Sequence, residues 1–147
     1  MYKHINKLKS KYHTSNPYEL AQAMHIQLTI SDLGDNIRGF CMNWKRGTFI
    51  SLNSQLSEFD MIFVLWHEIG HTVLHKNMNR VFMDKYTLNI PSRYENEANL
   101  FAAYMMIDDS DIKEYIEREY TIYQISQITG IKPDLVEKRI NGYLEQK

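Results

Sequence analysis

The sequence predicts an α+β domain in which a small antiparallel sheet packs on one buried helix, followed by a helical C-terminal region. Three observations carry this. The run Met61-Ile62-Phe63-Val64-Leu65-Trp66 is apolar on every side and continues through Ile69, Val73 and Leu74, which marks a helix enclosed by other structure. Between residues 25 and 53, short stretches of β-formers alternate with turn residues. From residue 91 onward, helix start and stop signals recur. The order helix, sheet, buried helix, further helices is that of an α+β fold.

Taken in order, residues 4–13 fit a short basic helix, and Lys3, Lys7, Lys9 and Lys11, with no acid among residues 1–13, read as a solvated face. Asn16-Pro17-Tyr18-Glu19 reads as a helix start with Asn16 as cap and Pro17 at the first helical position, running to about residue 24. Strands are expected around 25–30 and 38–43, separated by the Gly34-Asp35-Asn36 turn. Trp44-Lys45-Arg46-Gly47 reads as a hairpin turn in which glycine supplies a positive φ. It leads into a strand at 48–52, with 38–43 as its antiparallel partner. Ser57-Glu58-Phe59-Asp60 reads as a capping box for the apolar helix, which should end near residues 76–77. The connection at 78–90 is long enough to expect a functional role or disorder. The next helix should run from 91–92 to about 107, and shorter ones should cover about 110–119, 121–129 and 133–144. Thr121 with Gln124 and Pro133 mark two of these starts, and Gly130 the stop between them.

Composition narrows the class. The 147 residues suit one domain able to bury a sizeable core without disulfides, and Cys41 is the only cysteine. Cys41 reads as a small half-buried strand residue. With 44% apolar and 24% charged residues and a net charge of −1, there is no global electrostatic argument for nucleic acid. No apolar segment reaches 18 residues and the N-terminus lacks a signal-peptide core, so a cytoplasmic location is expected.

Inside the apolar helix stands His67-Glu68-Ile69-Gly70-His71. Positions four apart share a helix face, so both imidazoles can converge on one metal ion, and Glu68 is placed to take a proton from water activated there. This is the H-E-x-x-H pattern of zinc peptidases. Burying two histidines and a glutamate in an apolar helix is costly unless a metal or hydrogen-bond partners satisfy them. A catalytic zinc needs a third protein ligand. His75 continues the series but lies about 12 Å along the axis from His67, too far to share an ion. It reads as a helix-end residue, where an imidazolium suits the dipole. A three-histidine pattern would require glycine at 74 and histidine at 77, whereas this chain has Leu74 and Asn77. Glu95 and Glu97 on the following helix remain; they differ by roughly 200° around that helix, so one of them can face the metal and spacing does not choose.

His67-Glu68-Ile69-Gly70-His71-Thr72-Val73-Leu74-His75, followed by Glu95-x-x-Ala98-Asn99-x-Phe101-Ala102, resembles the ImmA/IrrE metallopeptidases carried by phages and integrative elements. The resemblance runs from about residue 15 through 139 and relates the chain to gluzincins. It implies a zincin-like core over about 1–110, with C-terminal helices at about 111–147. It also implies Zn2+ held by His67, His71 and Glu95, catalysis by Glu68, and Asn99 orienting a ligating histidine. Glu97 would face away towards solvent. The segment Tyr104-Met105-Met106-Ile107-Asp108 departs from the Leu-Met-Pro-like ending common in the family. In such peptidases an edge strand near the metal holds the substrate by main-chain hydrogen bonds, and residues 49–53 are the candidate for that role.

The implied activity is limited proteolysis of a regulatory protein, typically a helix-turn-helix repressor of a mobile element. Three rivals remain. Residues 122–143 have the helix, glycine turn and helix of a DNA-binding element. Against it, 121–147 carry four bases (Lys132, Lys138, Arg139, Lys147) to three acids (Asp134, Glu137, Glu145), which is weak for groove binding. The chain could act as an anti-repressor that sequesters its partner without cutting it, or as a toxin-like partner in a two-gene module.

Overall fold

The computed structural model describes residues 1–76, 81–83 and 92–146. The elements are α1 (Tyr2–Tyr12), α2 (Pro17–Ala23), β1 (Gln27–Ser31), β2 (Gly39–Trp44), β3 (Gly47–Asn53), α3 (Glu58–Leu74), β4 (Val81–Met83), α4 (Ser92–Met106), α5 (Asp109–Glu117), α6 (Ile122–Thr129) and α7 (Pro133–Leu144). The α+β class forms as expected, and local signals set the helix ends. Asn16 Oδ1 accepts from the amides of Tyr18 and Glu19 at 2.9 and 3.4 Å, with Pro17 in the first turn. Ser57 Oγ accepts from the Asp60 amide at 3.1 Å and starts α3. Thr121 and Gln124 close a reciprocal capping box on α6, which Gly130 ends at φ 65°.

The four strands lie in the order β1-β3-β2-β4. β2 and β3 form the expected antiparallel hairpin, from Gly39 opposite Leu52 to Trp44 opposite Gly47. Gly47 does not use a positive φ, however; among the described glycines only Gly34 and Gly130 do. The sheet is also mixed rather than wholly antiparallel, because β1 runs parallel to β3, Gln27 opposite Phe49. The chain reverses at Gly34 as the turn residues predict, but β3 then lies between β1 and β2. A turn signal specifies a reversal and not which strand becomes the neighbour. Asn53, buried at the end of β3, fixes this crossing: its Nδ2 donates to the carbonyls of Gly34 and Ile37, each at 2.7 Å, and its Oδ1 accepts from the Gln55 amide at 3.1 Å.

One further expectation is corrected. Residues 49–53 belong to the central strand β3, hydrogen-bonded on both sides, so they offer no free main-chain edge; β1 and β4 are the edges. Of the connection expected at 78–90, Val81–Met83 pair with β2 as β4, and the rest lies outside the described residues.

α3 lies across β2 and β3 on one side and against α4 on the other, which is why every residue from Val64 to Thr72 is buried. Small residues permit the close approach. A Cβ at Gly39 would stand 2.8 Å from Val64 Cγ1, and one at Gly70 would stand 3.0 Å from Phe101 Cδ1 and 3.2 Å from its Cβ. Phe101 is fully buried and has no room to yield. Gly70→Ala therefore gains about 1 kcal/mol of helix propensity but overpacks the α3–α4 contact by about 1–3 kcal/mol. The expected result is a melting temperature lower by a few degrees, measured by circular dichroism; a variant more stable than wild type would contradict the packing argument.

Behind α4, Ala103, Ile107, Ile112, Ile125, Leu135 and Val136 form a second apolar cluster with α5–α7, and Phe63 and Met106 touch both clusters. Among the described residues, no helix is long and apolar enough to cross a membrane.

Candidate metal centre

α3 presents His67 and His71 one turn apart, and their Nε2 atoms stand 3.0 Å from each other. α4, packed on that face, brings Glu95 to both: Oε2 lies 3.2 Å from His67 Nε2, and Oε1 lies 3.2 Å from His71 Nε2. One ligand atom from each residue falls within 4.8 Å of the others. Among the described residues this is the one group of three or more His, Cys, Asp or Glu side chains gathered in this way. Glu95 faces the histidines although it occupies the third position of a Ser92-x-x-Glu95 capping pattern. Of the two acids that spacing left open, the structure places Glu95 in the cluster.

The rings are held from behind. His67 Nδ1 lies 2.9 Å from Asn99 Oδ1, one turn beyond Glu95 on α4. A carbonyl oxygen can only accept, so His67 donates from Nδ1 and turns its Nε2 to the cluster. His75 does not stand free at the helix end. It is the buried C-cap of α3, its Nδ1 is 3.1 Å from His71 Nδ1, and its Nε2 is 2.8 Å from Glu97 Oε2. The reading of Glu97 as a side chain turned to solvent is thus corrected: it is half-buried and pairs with both His75 and Arg93. The fourfold spacing from His71 to His75 was the available signal for this contact. Its missing half was the crossing of α3 and α4, which no local pattern encodes.

Electrostatics set the protonation states. Burial holds the His71 pKa down to about 4, against the pull of Glu95, so the ring is neutral at pH 7. For Glu95, burial would raise the pKa, but hydrogen bonds and charge from His67 and His71 outweigh it and bring it to about 2. A neutral imidazole and an anionic carboxylate are the forms that bind a metal. Glu95 Oε1 is moreover buried, with His71 Nε2 at 3.2 Å beside it, where a cation at the cluster would reach it. Two imidazole nitrogens and a carboxylate oxygen form a suitable donor set for a divalent metal with one position left open. The residues fit the group.

Glu68 is fully buried on the sheet side of α3. It adjoins Cys41 of β2: burial raises the thiol pKa well above its ordinary value, and the charge of Glu68 and a hydrogen bond to it raise it further. Glu95 acts on the same thiol through space, so the two carboxylates bracket one small region between α3, α4 and β2. Cys41 is wholly buried rather than half-buried.

An α+β domain with an H-E-x-x-H helix and a glutamate supplied by the next helix is the arrangement expected of a metallopeptidase. More specifically, residues 21–141 match Peptidase_M78, the IrrE N-terminal-like domain, and the chain belongs to that family. It is similar to a protein of Bacillus phage phi105 called immunity region protein 2, at 37% identity over 131 residues, covering 89% of this chain and 83% of that one. It is also similar to Metallopeptidase ImmA of Bacillus subtilis (strain 168), at 30% identity over 103 residues, 69% of this chain. The match spans 59% of ImmA's length.

Proposed function

We propose that the chain is a zinc-dependent endopeptidase that cuts one regulatory protein, a helix-turn-helix repressor of a mobile element. The observation that carries this reading is the convergence of His67, His71 and Glu95 in a buried cluster with Glu68 adjacent in sequence. The names of the two relatives, one from an immunity region and one a metallopeptidase, support the regulatory and proteolytic halves.

In this reading His67, His71 and Glu95 hold the metal, which when bound supplies a Lewis acid that activates water and polarises a peptide carbonyl. Glu68 takes the proton from the attacking water and delivers it to the leaving amine. Its burial keeps bulk water from competing for that proton. Asn99 keeps His67 Nε2 aimed at the cluster. A role in reading DNA is disfavoured by the inward turn of Arg139. Without it, the basic residues of 121–147 fall to three, against three acids.

The direct test combines purified protein, zinc and the cognate repressor. One cut in the repressor is expected, with no general digestion and with loss of cutting in excess chelator. Glu95→Gln should lower zinc affinity at least about 100-fold and abolish the cut. Cleavage that persists in Glu95→Gln would rule out this ligand set.

A further inference from the structure

His75 is unusual in this site: a buried histidine that touches the cluster from behind without entering it. Its Nδ1 faces His71 Nδ1 at 3.1 Å, its Nε2 faces Glu97 Oε2 at 2.8 Å, and its ring packs edge-on against Tyr94 at 4.8 Å. Taking the metal reading of the cluster as given, we infer that His75 and Glu97 form a two-residue positioning relay that fixes the tautomer and aim of His71.

The proton order has one solution when a metal is held. A ligating Nε2 carries no proton, so a neutral His71 carries its proton on Nδ1. His71 then donates to His75, and His75 Nδ1 must accept. The proton of a neutral His75 is therefore on Nε2, where it donates to the Glu97 carboxylate, a group that only accepts. Each link has one donor and one acceptor. The support behind the two ligand histidines thus differs in kind. His67 leans on the neutral amide of Asn99, while His71 leans on an imidazole that transmits the negative charge of Glu97. That charge favours a more basic Nε2 on His71 and a tighter hold on the metal.

The test is zinc affinity by chelator competition, joined to side-chain ¹⁵N spectra of the zinc-loaded protein. Glu97 lies at the rim of α4, with 41% of its side chain exposed, so its variants should fold even where His75→Ala does not. Glu97→Ala is expected to weaken zinc binding by about 10-fold and His75→Ala by about 10–100-fold. Glu97→Gln, which keeps an accepting oxygen but not the charge, should fall between wild type and Glu97→Ala. Arg93→Ala removes the other partner of Glu97 and should leave zinc affinity unchanged. The spectra should show His71 protonated on Nδ1 and His75 on Nε2. Equal zinc affinity in wild type and Glu97→Ala, a loss in Arg93→Ala as large as in Glu97→Ala, or a proton on His75 Nδ1 in the loaded protein would each overturn the relay alone. A wild type that takes up no zinc would overturn the metal reading itself, and the relay with it.

Discussion

Glu68→Gln is expected to bind zinc as tightly as wild type and to cut its protein substrate about 10²–10⁴-fold more slowly. The exchange keeps the shape of a side chain that is fully buried, so packing against β2 should survive. What disappears is the ability to accept and return a proton. The Cys41 thiol, held protonated by burial and by the Glu68 charge, can still donate to the amide oxygen of glutamine, so the variant keeps a neighbour there. Zinc content by atomic spectroscopy and cleavage followed by mass spectrometry read the two properties apart. The same variant separates proteolysis from sequestration in cells. If Glu68→Gln relieves repression as well as wild type, the partner is controlled by binding. If it fails while retaining zinc and partner binding, the cut is what matters. A variant that cleaves at the wild-type rate would remove Glu68 from the mechanism.

The parts of this site that could be read from sequence are those encoded within one helix. His67 and His71 share a face because the α-helix repeats every 3.6 residues, and the apolar run around them announces burial. Caps at Asn16, Ser57, Thr121 and Gly130 similarly place helix ends within a residue or two. Choosing Glu95 over Glu97 required a resemblance, since either acid can face α3 until the rotation of α4 is known. His75–Glu97 was missed for the same reason: each half lies on a different helix, and both halves have an ordinary local explanation. The sheet order was illegible because β1 and β2 carry the signals of a simple reversal, while the insertion of β3 between them depends on long-range pairing and the bonds of Asn53.

Arg139 shows the same limit from the opposite direction, and its loss is expected to cost about 3 kcal/mol of stability, far from the metal cluster. In sequence it counts as one of the four bases of residues 121–147, the candidate DNA-binding segment. In the fold it is 2% exposed and points from α7 into the seam between α1, α4 and α5. Its Nε donates to the Ile107 carbonyl at 3.0 Å, its Nη1 to Tyr2 Oη at 2.7 Å, and its Nη2 to Asp109 Oδ1 at 2.5 Å. The guanidinium also lies over the Tyr104 ring, 4.3 Å from its centroid. Burial, only partly offset by Arg139, raises the Tyr2 pKa to about 12, so the phenol stays neutral and passes a hydrogen bond on to Asp109 at 3.1 Å. Arg139→Ala leaves the Ile107 carbonyl and Tyr2 without this donor and opens space beside Tyr104. Asp109 is half-exposed and can recover water, which keeps the cost near the lower end of what breaking a buried pair usually brings. A melting temperature lower by about 10 °C is expected, and Arg139→Lys, which retains the charge but not the planar fork, should fall between. A shift under about 2 °C in Arg139→Ala would show that the seam is held by its apolar contacts alone. Because α4 carries Glu95 near one end and Tyr104 at the other, loosening this seam should also weaken zinc retention on heating, before global unfolding.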